Sequence, residues 1–274
     1  MNHKEQFGYL TVACNNNQVD YLRLAYAQAL CVKKTQKNNR FAVIVDANTE
    51  KFLNEKHQQV FDYVIQVPEH NLGPYGAEAF VFDLTPFKET IKLESDILLT
   101  RSIDHWINTF RLRDMVLSVG CKNYRQEPSL SRAYRKTFDD NHLPDVYNGL
   151  MYFRFTQTAK NFFDTAKNIF SNWDTIKNQI KNCREDIPST DLVFALSAQI
   201  IGPELCTLPT ADFINFVHMK PAINEFDHDL NFNQVFVTEF DSGMIRINNV
   251  NQYHPLHYHD KNFLTDEMIE YYEQ

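Results

Sequence analysis

The first hundred residues alternate short apolar runs with segments of helical periodicity. Apolar runs at 9–14, 41–45, 61–67 and 90–93 predict buried β-strands, and apolar residues at helical spacing between 22 and 33 predict an α-helix. Strands that alternate with helices are typical of a parallel sheet covered on both faces. The pattern therefore predicts an α/β fold with a mostly parallel central sheet and helices on both faces.

Beyond residue 96 the apolar pattern is less regular, which indicates a mixture of strands and helices. No stretch rich in proline, glycine or serine divides the chain, so we expect a single domain. The pattern predicts strands at 115–119, 150–155 and 213–217, helices at 157–180 and 192–201, and a last helix capped by Thr265.

Composition narrows the class of protein. Of the 274 residues 43% are hydrophobic, which is enough for a sizeable core, and no apolar stretch is long enough to form a transmembrane segment. The first six residues are polar and do not resemble a signal peptide. The five cysteines form no CxxC pair, which favours reduced thiols. We therefore expect a cytoplasmic protein, located in the host cytoplasm if its source is viral.

Several common nucleotide and hydrolase motifs are missing from the sequence. GxGxxG, GxxxxGK[ST] and GxSxG do not occur, which argues against a Rossmann dinucleotide site, a P-loop and a hydrolase serine elbow. Chemistry is expected instead at the ends of the predicted strands, where parallel sheets bind ligands. Asn15, Asp46 and the tripeptide Glu94-Ser95-Asp96 occupy such positions.

The two acids of this tripeptide can face one cavity, because alternate residues of an extended segment point the same way. Carboxylates suit Mg²⁺ or Mn²⁺, ions that often share their ligand shell with phosphate oxygens. An ordinary surface turn that carries two acids remains the alternative. What favours the metal site is the order of motifs along the chain: YLTVACN (9–15), FAVIVD (41–46), IKLESDILL (91–99), YNGLMYF (147–153), STDLVF (189–194) and FVHMKP (216–221).

In this order the motifs resemble those of GT-A glycosyltransferases of the glycogenin-like, or lipopolysaccharide galactosyltransferase-like, family. The resemblance covers about residues 8 to 221. It implies a catalytic domain over residues 1–221 with a C-terminal extension, 222–274, packed on it. It also implies a UDP-sugar donor, a divalent cation (usually Mn²⁺, or Mg²⁺), transfer with retention at the anomeric carbon and a glycan-type acceptor.

The resemblance assigns metal and diphosphate contacts to four positions. Glu94 and Asp96 stand where the family has its DxD pair, and His218 stands at the later metal-ligating histidine. Lys220 resembles the basic residue that meets the diphosphate.

It also assigns roles around the nucleoside and the sugar. Asn15 and Asp46 stand where the family grips the uridine. Asn148 and Gly149 match a turn that lines the sugar site, and Asp191 matches an acid near the reacting centre. In this resemblance Asn148 and Asp191 are the catalytic residues.

The chain departs from the family pattern at several positions. The first acid is Glu94 rather than aspartate, the spaced histidine–lysine motif is contracted to 218–220, and Leu192 stands where the family often has glutamine. Val19 occupies the place of the tyrosine that commonly stacks on uracil, and Glu78 replaces a basic residue. These departures leave open a non-catalytic protein that binds nucleotide sugars.

A second histidine cluster lies beyond the matched region. His254, His257 and His259 form an HxxHxH pattern that can bind zinc and would suit metal-assisted hydrolysis. Pro255 and Tyr258 interrupt any helical pattern there, so we expect a polar loop.

The charge pattern offers a candidate acceptor site. The net charge is −8, yet residues 111–136 hold seven basic residues and only two acidic ones. This segment is either a solvated loop or a local site for a polyanion. In the family this region commonly shapes acceptor recognition, and arginines interleaved with aromatics can meet a phosphorylated glycan, a lipid head group or a nucleic acid. Abundant asparagine and few glycines suggest an AT-rich coding source such as a virus, which makes a modified base of phage-type DNA a second candidate acceptor beside a glycan. The candidate contacts are Arg125, Arg132, Arg135 and Lys136.

Overall fold

The computed structural model describes residues 4–129, 135–208, 214–227 and 229–274. Its strands are β1 (Glu5–Val12), β2 (Phe41–Val45), β3 (Tyr63–Gln66), β4 (Phe87–Leu93), β5 (Ile97–Leu98), β6 (Met115–Val119), β7 (Val146–Arg154), β8 (Val217–His218), β9 (Thr238–Asp241), β10 (Met244–Ile247), β11 (Val250–Asn251) and β12 (Leu256–His257).

Helices connect these strands and cover the sheet. They are α1 (Tyr21–Thr35), α2 (Ala47–Glu50), α3 (Glu55–Val60), α4 (Val81–Leu84), α5 (Ile107–Phe110), α6 (Lys136–Asp140), α7 (Gln157–Ser171), α8 (Trp173–Ile176), α9 (Thr190–Ile201), α10 (Pro203–Cys206), α11 (Phe232–Val235) and α12 (Asp266–Glu273). Among the described helices, none is both long and apolar enough to cross a bilayer.

Six strands form the central sheet, in the order β3-β2-β1-β4-β7-β6. The first four are mutually parallel, whereas β7 runs antiparallel to both β4 and β6. Side chains of alternating strand residues point into two apolar cores, one on each face of the sheet. Tyr9 packs with α1 and the C-terminal residues on one face, and Leu10 packs with α7 and α9 on the other. The predicted α/β fold, with helices on both faces of a mostly parallel sheet, is therefore confirmed.

Three predicted elements differ from the structure. Of the strand predicted at 213–217 only residue 217 belongs to a strand, β8 (Val217–His218), and position 213 lies outside the described residues. The helix predicted over 157–180 ends at Ser171, because Asn172 has non-helical dihedrals (φ −117°, ψ 23°); the short α8 follows. The strand predicted at 150–155 begins earlier, at Val146, so Asn148 and Gly149 lie inside β7 rather than in a turn. The predicted cap of the last helix is confirmed, since the Thr265 hydroxyl accepts from the Met268 N–H.

A second sheet, of three strands, pairs a strand of the C-terminal region with the segment that follows β4. In it β12 lies between β5, to which it is antiparallel, and β8, to which it is parallel. This pairing sets His257 beside Ile97 on one side and His218 on the other. A residue near the end of the chain is therefore held next to the Glu94–Asp96 tripeptide. The proposed domain boundary at residue 221 stays a prediction.

Candidate functional site

Three strand ends of the central sheet meet at one cavity. Asn15 follows β1, Asp46 follows β2, and Glu94 and Asp96 follow β4; all four line a cavity of about 450 Å³. This volume lies within the range of small-molecule sites, about 300–1,000 Å³. The expectation that these residues share the carboxyl edge of the sheet is borne out in the structure.

Two carboxylates and one imidazole converge in this cavity. The ligand atoms of Glu94, Asp96 and His257 lie within 4.8 Å of one another. His257 Nε2 lies 2.9 Å from Asp96 Oδ2 and 3.6 Å from Glu94 Oε2. Such a set of oxygen and nitrogen atoms can hold a divalent cation.

The imidazole beside the carboxylates is not the one that the motif order suggested. His218, the predicted ligand, is not part of this group; its ring centroid lies 4.3 Å from that of His257. Its Nδ1 accepts the backbone N–H of Lys220 at 3.3 Å. The physical reason is the strand order, since β12 lies between β8 and β5, the strand that follows the two acids. The expectation of a polar loop is therefore wrong for His257, which is buried in β12.

Charge in the cluster is set by burial and by its close neighbours. Burial alone would raise the pKa of Asp96, but attraction to His257, the hydrogen bond from its ring and the nearby Lys261 ammonium lower it below its ordinary value. Burial raises the pKa of Glu94 despite the attraction of His257. Burial opposes charge on His257, yet Asp96 and Glu94 raise its pKa. In this structure Asp96 is therefore ionised and His257 binds a proton readily.

A lysine from the C-terminal region also reaches the cluster. Lys261 Nζ donates to Asp96 Oδ2 and lines the cavity, together with His259. Burial and the neighbouring His257 and Lys261 lower the pKa of His259 to about 4, so its ring is neutral near pH 7. Lys220, the predicted diphosphate contact, does not belong to the described cavity lining. Lys261 is the lysine that lines the described cavity.

The two residues predicted to grip uridine hold local structure as well as lining the cavity. Asn15 Oδ1 accepts the Leu22 N–H at 2.9 Å, and Asp46 Oδ1 accepts the Thr49 N–H at 2.7 Å. Aromatic surface comes from Tyr21 and Tyr75, which are also part of the cavity wall. Tyr75 was not identified from the sequence.

The residues predicted at the sugar site lie where β7 pairs with the end of β4. The Gly149 carbonyl accepts the Glu94 N–H at 2.9 Å, and Asn148 Nδ2 donates to Glu94 Oε1 at 3.2 Å. Asp191 Oδ1 accepts the Asn148 N–H at 2.7 Å. A side chain at Gly149 would not fit, because a Cβ there would lie 2.7 Å from the Phe216 ring.

Two of the basic residues predicted at the acceptor site pair with acids of the chain itself. Arg125 pairs with Glu127 and Glu225, and Lys136 pairs with Asp140. Arg132 lies outside the described residues.

Arg135, one of the four candidate acceptor contacts, is buried with 4% of its side chain exposed. Its guanidinium pairs with Asp145, approaches Asp191 Oδ2 at 3.6 Å and stacks between Phe138 and Tyr147. The expectation that Arg135 meets an acceptor at the surface is therefore wrong, because its donors are turned inward.

Comparisons with known proteins give partial structural similarities. No protein-family model matches the chain, and no curated protein matches its sequence. Among solved structures, mouse xyloside xylosyltransferase 1 is similar over 74% of this chain and 85% of its own, at 9% identity and a TM-score of 0.46. The bifunctional glycosyltransferase WbbM is similar over 85% of this chain and 44% of its own, at 11% identity and a TM-score of 0.49.

The glycosyltransferase GlyE of Streptococcus pneumoniae is similar over 74% of this chain and 45% of its own, at 10% identity and a TM-score of 0.45. The chain thus spans less than half of the WbbM and GlyE chains. Two of these proteins are named as glycosyltransferases and the third as a xylosyltransferase.

Proposed function

We propose that the protein is a metal-dependent glycosyltransferase that moves a sugar from a UDP-sugar to a glycan-type acceptor. The observation that carries this proposal is the convergence of Glu94, Asp96 and His257 in a ligand-sized cavity at the carboxyl edge of the sheet. Two carboxylates with one imidazole fit Mn²⁺, which accepts both oxygen and nitrogen ligands.

The charge of the cavity supports a bound cation. Asp46, Glu78, Glu94 and Asp96 line it, and buried Lys92 balances the charge of Glu78. Three acidic side chains therefore face one ammonium of the described lining, that of Lys261. A diphosphate that entered this cavity alone would meet net negative charge. A divalent cation between the carboxylates and the phosphates removes this repulsion, as in other sites where such an ion bridges protein and phosphate.

Each side chain then has a defined part in the reaction. Glu94, Asp96 and His257 would hold the ion, which supplies Lewis-acid stabilisation for the charge that builds on the departing diphosphate. Lys261, which lines the same cavity, would donate to a phosphate oxygen. Tyr21 supplies a face on which uracil can stack.

The sugar is proposed to lie beside Asn148 and Asp191. Asp191 keeps 33% of its side chain exposed, and its carboxylate is held by the Asn148 N–H. We propose that this fixed carboxylate faces the anomeric carbon and that transfer proceeds with retention. NMR of the anomeric proton in the first-formed product tests this directly, and inversion would contradict it.

The proposed function is tested by a thermal-shift screen of UDP-sugars and other nucleotide sugars with and without Mn²⁺. A ligand that binds the native state raises the unfolding temperature. We expect stabilisation by a UDP-sugar only when Mn²⁺ is present, and loss of that effect in Asp96→Asn. Slow metal-dependent hydrolysis of the donor would mark an enzyme, whereas binding with no turnover would favour a non-catalytic sugar-nucleotide-binding protein.

A further inference from the structure

A lysine is completely buried beneath the carboxylate cluster. Lys92 is the penultimate residue of β4, and its side chain is 0% exposed. A buried ammonium requires a counter-charge and hydrogen-bond acceptors, since desolvation penalises an isolated charge heavily. The counter-charge comes from Glu78, whose Oε2 lies 2.7 Å from Lys92 Nζ.

The same ammonium reaches a metal-site residue through one amide. Lys92 Nζ donates to Asn148 Oδ1 at 3.0 Å, and Asn148 Nδ2 donates to Glu94 Oε1 at 3.2 Å. An ammonium only donates and an ionised carboxylate only accepts. Only one orientation of the Asn148 amide therefore satisfies both neighbours.

This orientation affects which oxygen of Glu94 is available to an ion. Oε1 of Glu94 accepts from Asn148, whereas Oε2 is the oxygen that lies 3.6 Å from His257 Nε2. Without Lys92 the Asn148 Oδ1 would lose the ammonium that anchors it, and only the contact with Glu94 would orient the amide. The Asn148 and Glu94 side chains could then shift together, and Glu94 would lose its fixed position.

We propose that Lys92 is a positioning residue, which acts through Asn148 to aim Glu94 at the bound cation, with Glu78 as its counter-ion. This inference rests on the proposed metal site and adds residues that do not themselves touch the ion. Hydrogen-bond partners of metal ligands typically change metal affinity about 10- to 100-fold when they are removed.

The test compares Mn²⁺ affinity, measured by titration calorimetry, in the wild type and in Lys92→Met/Glu78→Gln. The double variant leaves no unpaired buried charge, so it keeps the chance of folding that Lys92→Met alone puts at risk. We expect Mn²⁺ binding about 10- to 100-fold weaker in the double variant. Unchanged affinity would overturn the positioning role while leaving the metal site intact; a wild type that does not bind Mn²⁺ would overturn both.

A matched control comes from the same strand. Glu89 is a buried acid on β4 that pairs with Arg111 at 2.7 Å and does not line the cavity. Glu89→Gln should lower thermal stability but leave Mn²⁺ affinity unchanged. If Glu89→Gln lost as much Mn²⁺ affinity as Lys92→Met/Glu78→Gln, any destabilisation of β4 would be enough to weaken metal binding. That result would overturn the specific role of Lys92.

Coupling between the two residues provides the last test. If Lys92 acts through Asn148, the loss of Mn²⁺ affinity in Asn148→Ala should not grow when the Lys92→Met/Glu78→Gln changes are added. If the losses of Mn²⁺ affinity from the two sets of substitutions simply added, Lys92 would not act through the Asn148 amide. The side-chain NH₂ signals of Asn148 in ¹⁵N NMR spectra, assigned by their loss in Asn148→Ala, should shift in Lys92→Met/Glu78→Gln even without metal. Unshifted signals would also contradict the route.

Discussion

Replacement of the two neighbouring histidines by alanine separates the metal ligand from its neighbour. His257 and His218 lie side by side on β12 and β8 and are buried to similar degrees, 8% and 7% exposed. Truncation of either ring removes a buried side chain, which typically costs about 2–5 kcal/mol of stability. The free energy of unfolding should therefore fall by a similar amount in both variants.

Metal affinity should respond very differently in the two variants. His257 supplies one of the three ligand atoms that lie within 4.8 Å of one another, whereas His218 supplies none of them. Loss of a direct ligand should exceed the roughly 100-fold upper range seen for hydrogen-bond partners of ligands. A 100-fold loss corresponds to about 2.8 kcal/mol of binding free energy. In His218→Ala the affinity should change by less than about threefold, a difference of about 0.7 kcal/mol.

Calorimetric titration of Mn²⁺ into each folded variant measures this difference, and circular dichroism confirms that both variants are folded. If His218→Ala loses affinity as strongly as His257→Ala, the placement of the ligand is wrong. If neither variant loses affinity, the ion does not bind at this cluster.

Three further results are expected. Gly149→Ala should destabilise the protein by about 1–3 kcal/mol in chemical denaturation, because the new methyl would crowd the Phe216 ring; unchanged stability would contradict the close packing. Lys261→Met should weaken UDP binding in the presence of Mn²⁺ by about 1.5–3 kcal/mol, the usual value of a hydrogen bond to a charged group; unaltered UDP affinity would remove Lys261 from the diphosphate site. Mn²⁺ affinity should rise with pH through the raised pKa of His257 and level off above it, because the ion and the proton compete for one ring nitrogen; a flat profile would exclude His257 as a ligand.

The acid pair could be found from the sequence because its position follows from local rules. Glu94 and Asp96 come directly after an apolar run, which places both at the end of β4. The extended segment expected there is wrong, because residues 95 and 96 form a turn in which the Ile97 N–H donates to the Glu94 carbonyl. The carboxyl ends of parallel strands share one edge of a sheet, which placed Asn15 and Asp46 correctly at the same cavity.

The histidine ligand could not be found by such rules. His257 lies 161 residues from Asp96, and its position depends on the insertion of β12 between β5 and β8. Strands of two residues carry no alternation pattern to recognise. The HxxHxH spacing was the one available signal, and the interrupted helical pattern around it favoured a loop instead.

The burial of Lys92 could not be predicted from the sequence for a different reason. A lysine within an apolar run is normally expected to extend to solvent, since lysine is rarely buried without a partner. Its partner, Glu78, belongs to a short helical turn that the apolar pattern does not predict, and its acceptor lies on β7. Burial of this charge is therefore a property of the tertiary structure alone.

The central claim is most directly tested by anomalous diffraction from crystals soaked with Mn²⁺ and UDP. The account predicts one strong manganese peak between Glu94, Asp96 and His257, with diphosphate density on the side of Lys261. A peak at His218, or UDP bound in the cavity with no manganese beside it, would contradict the account.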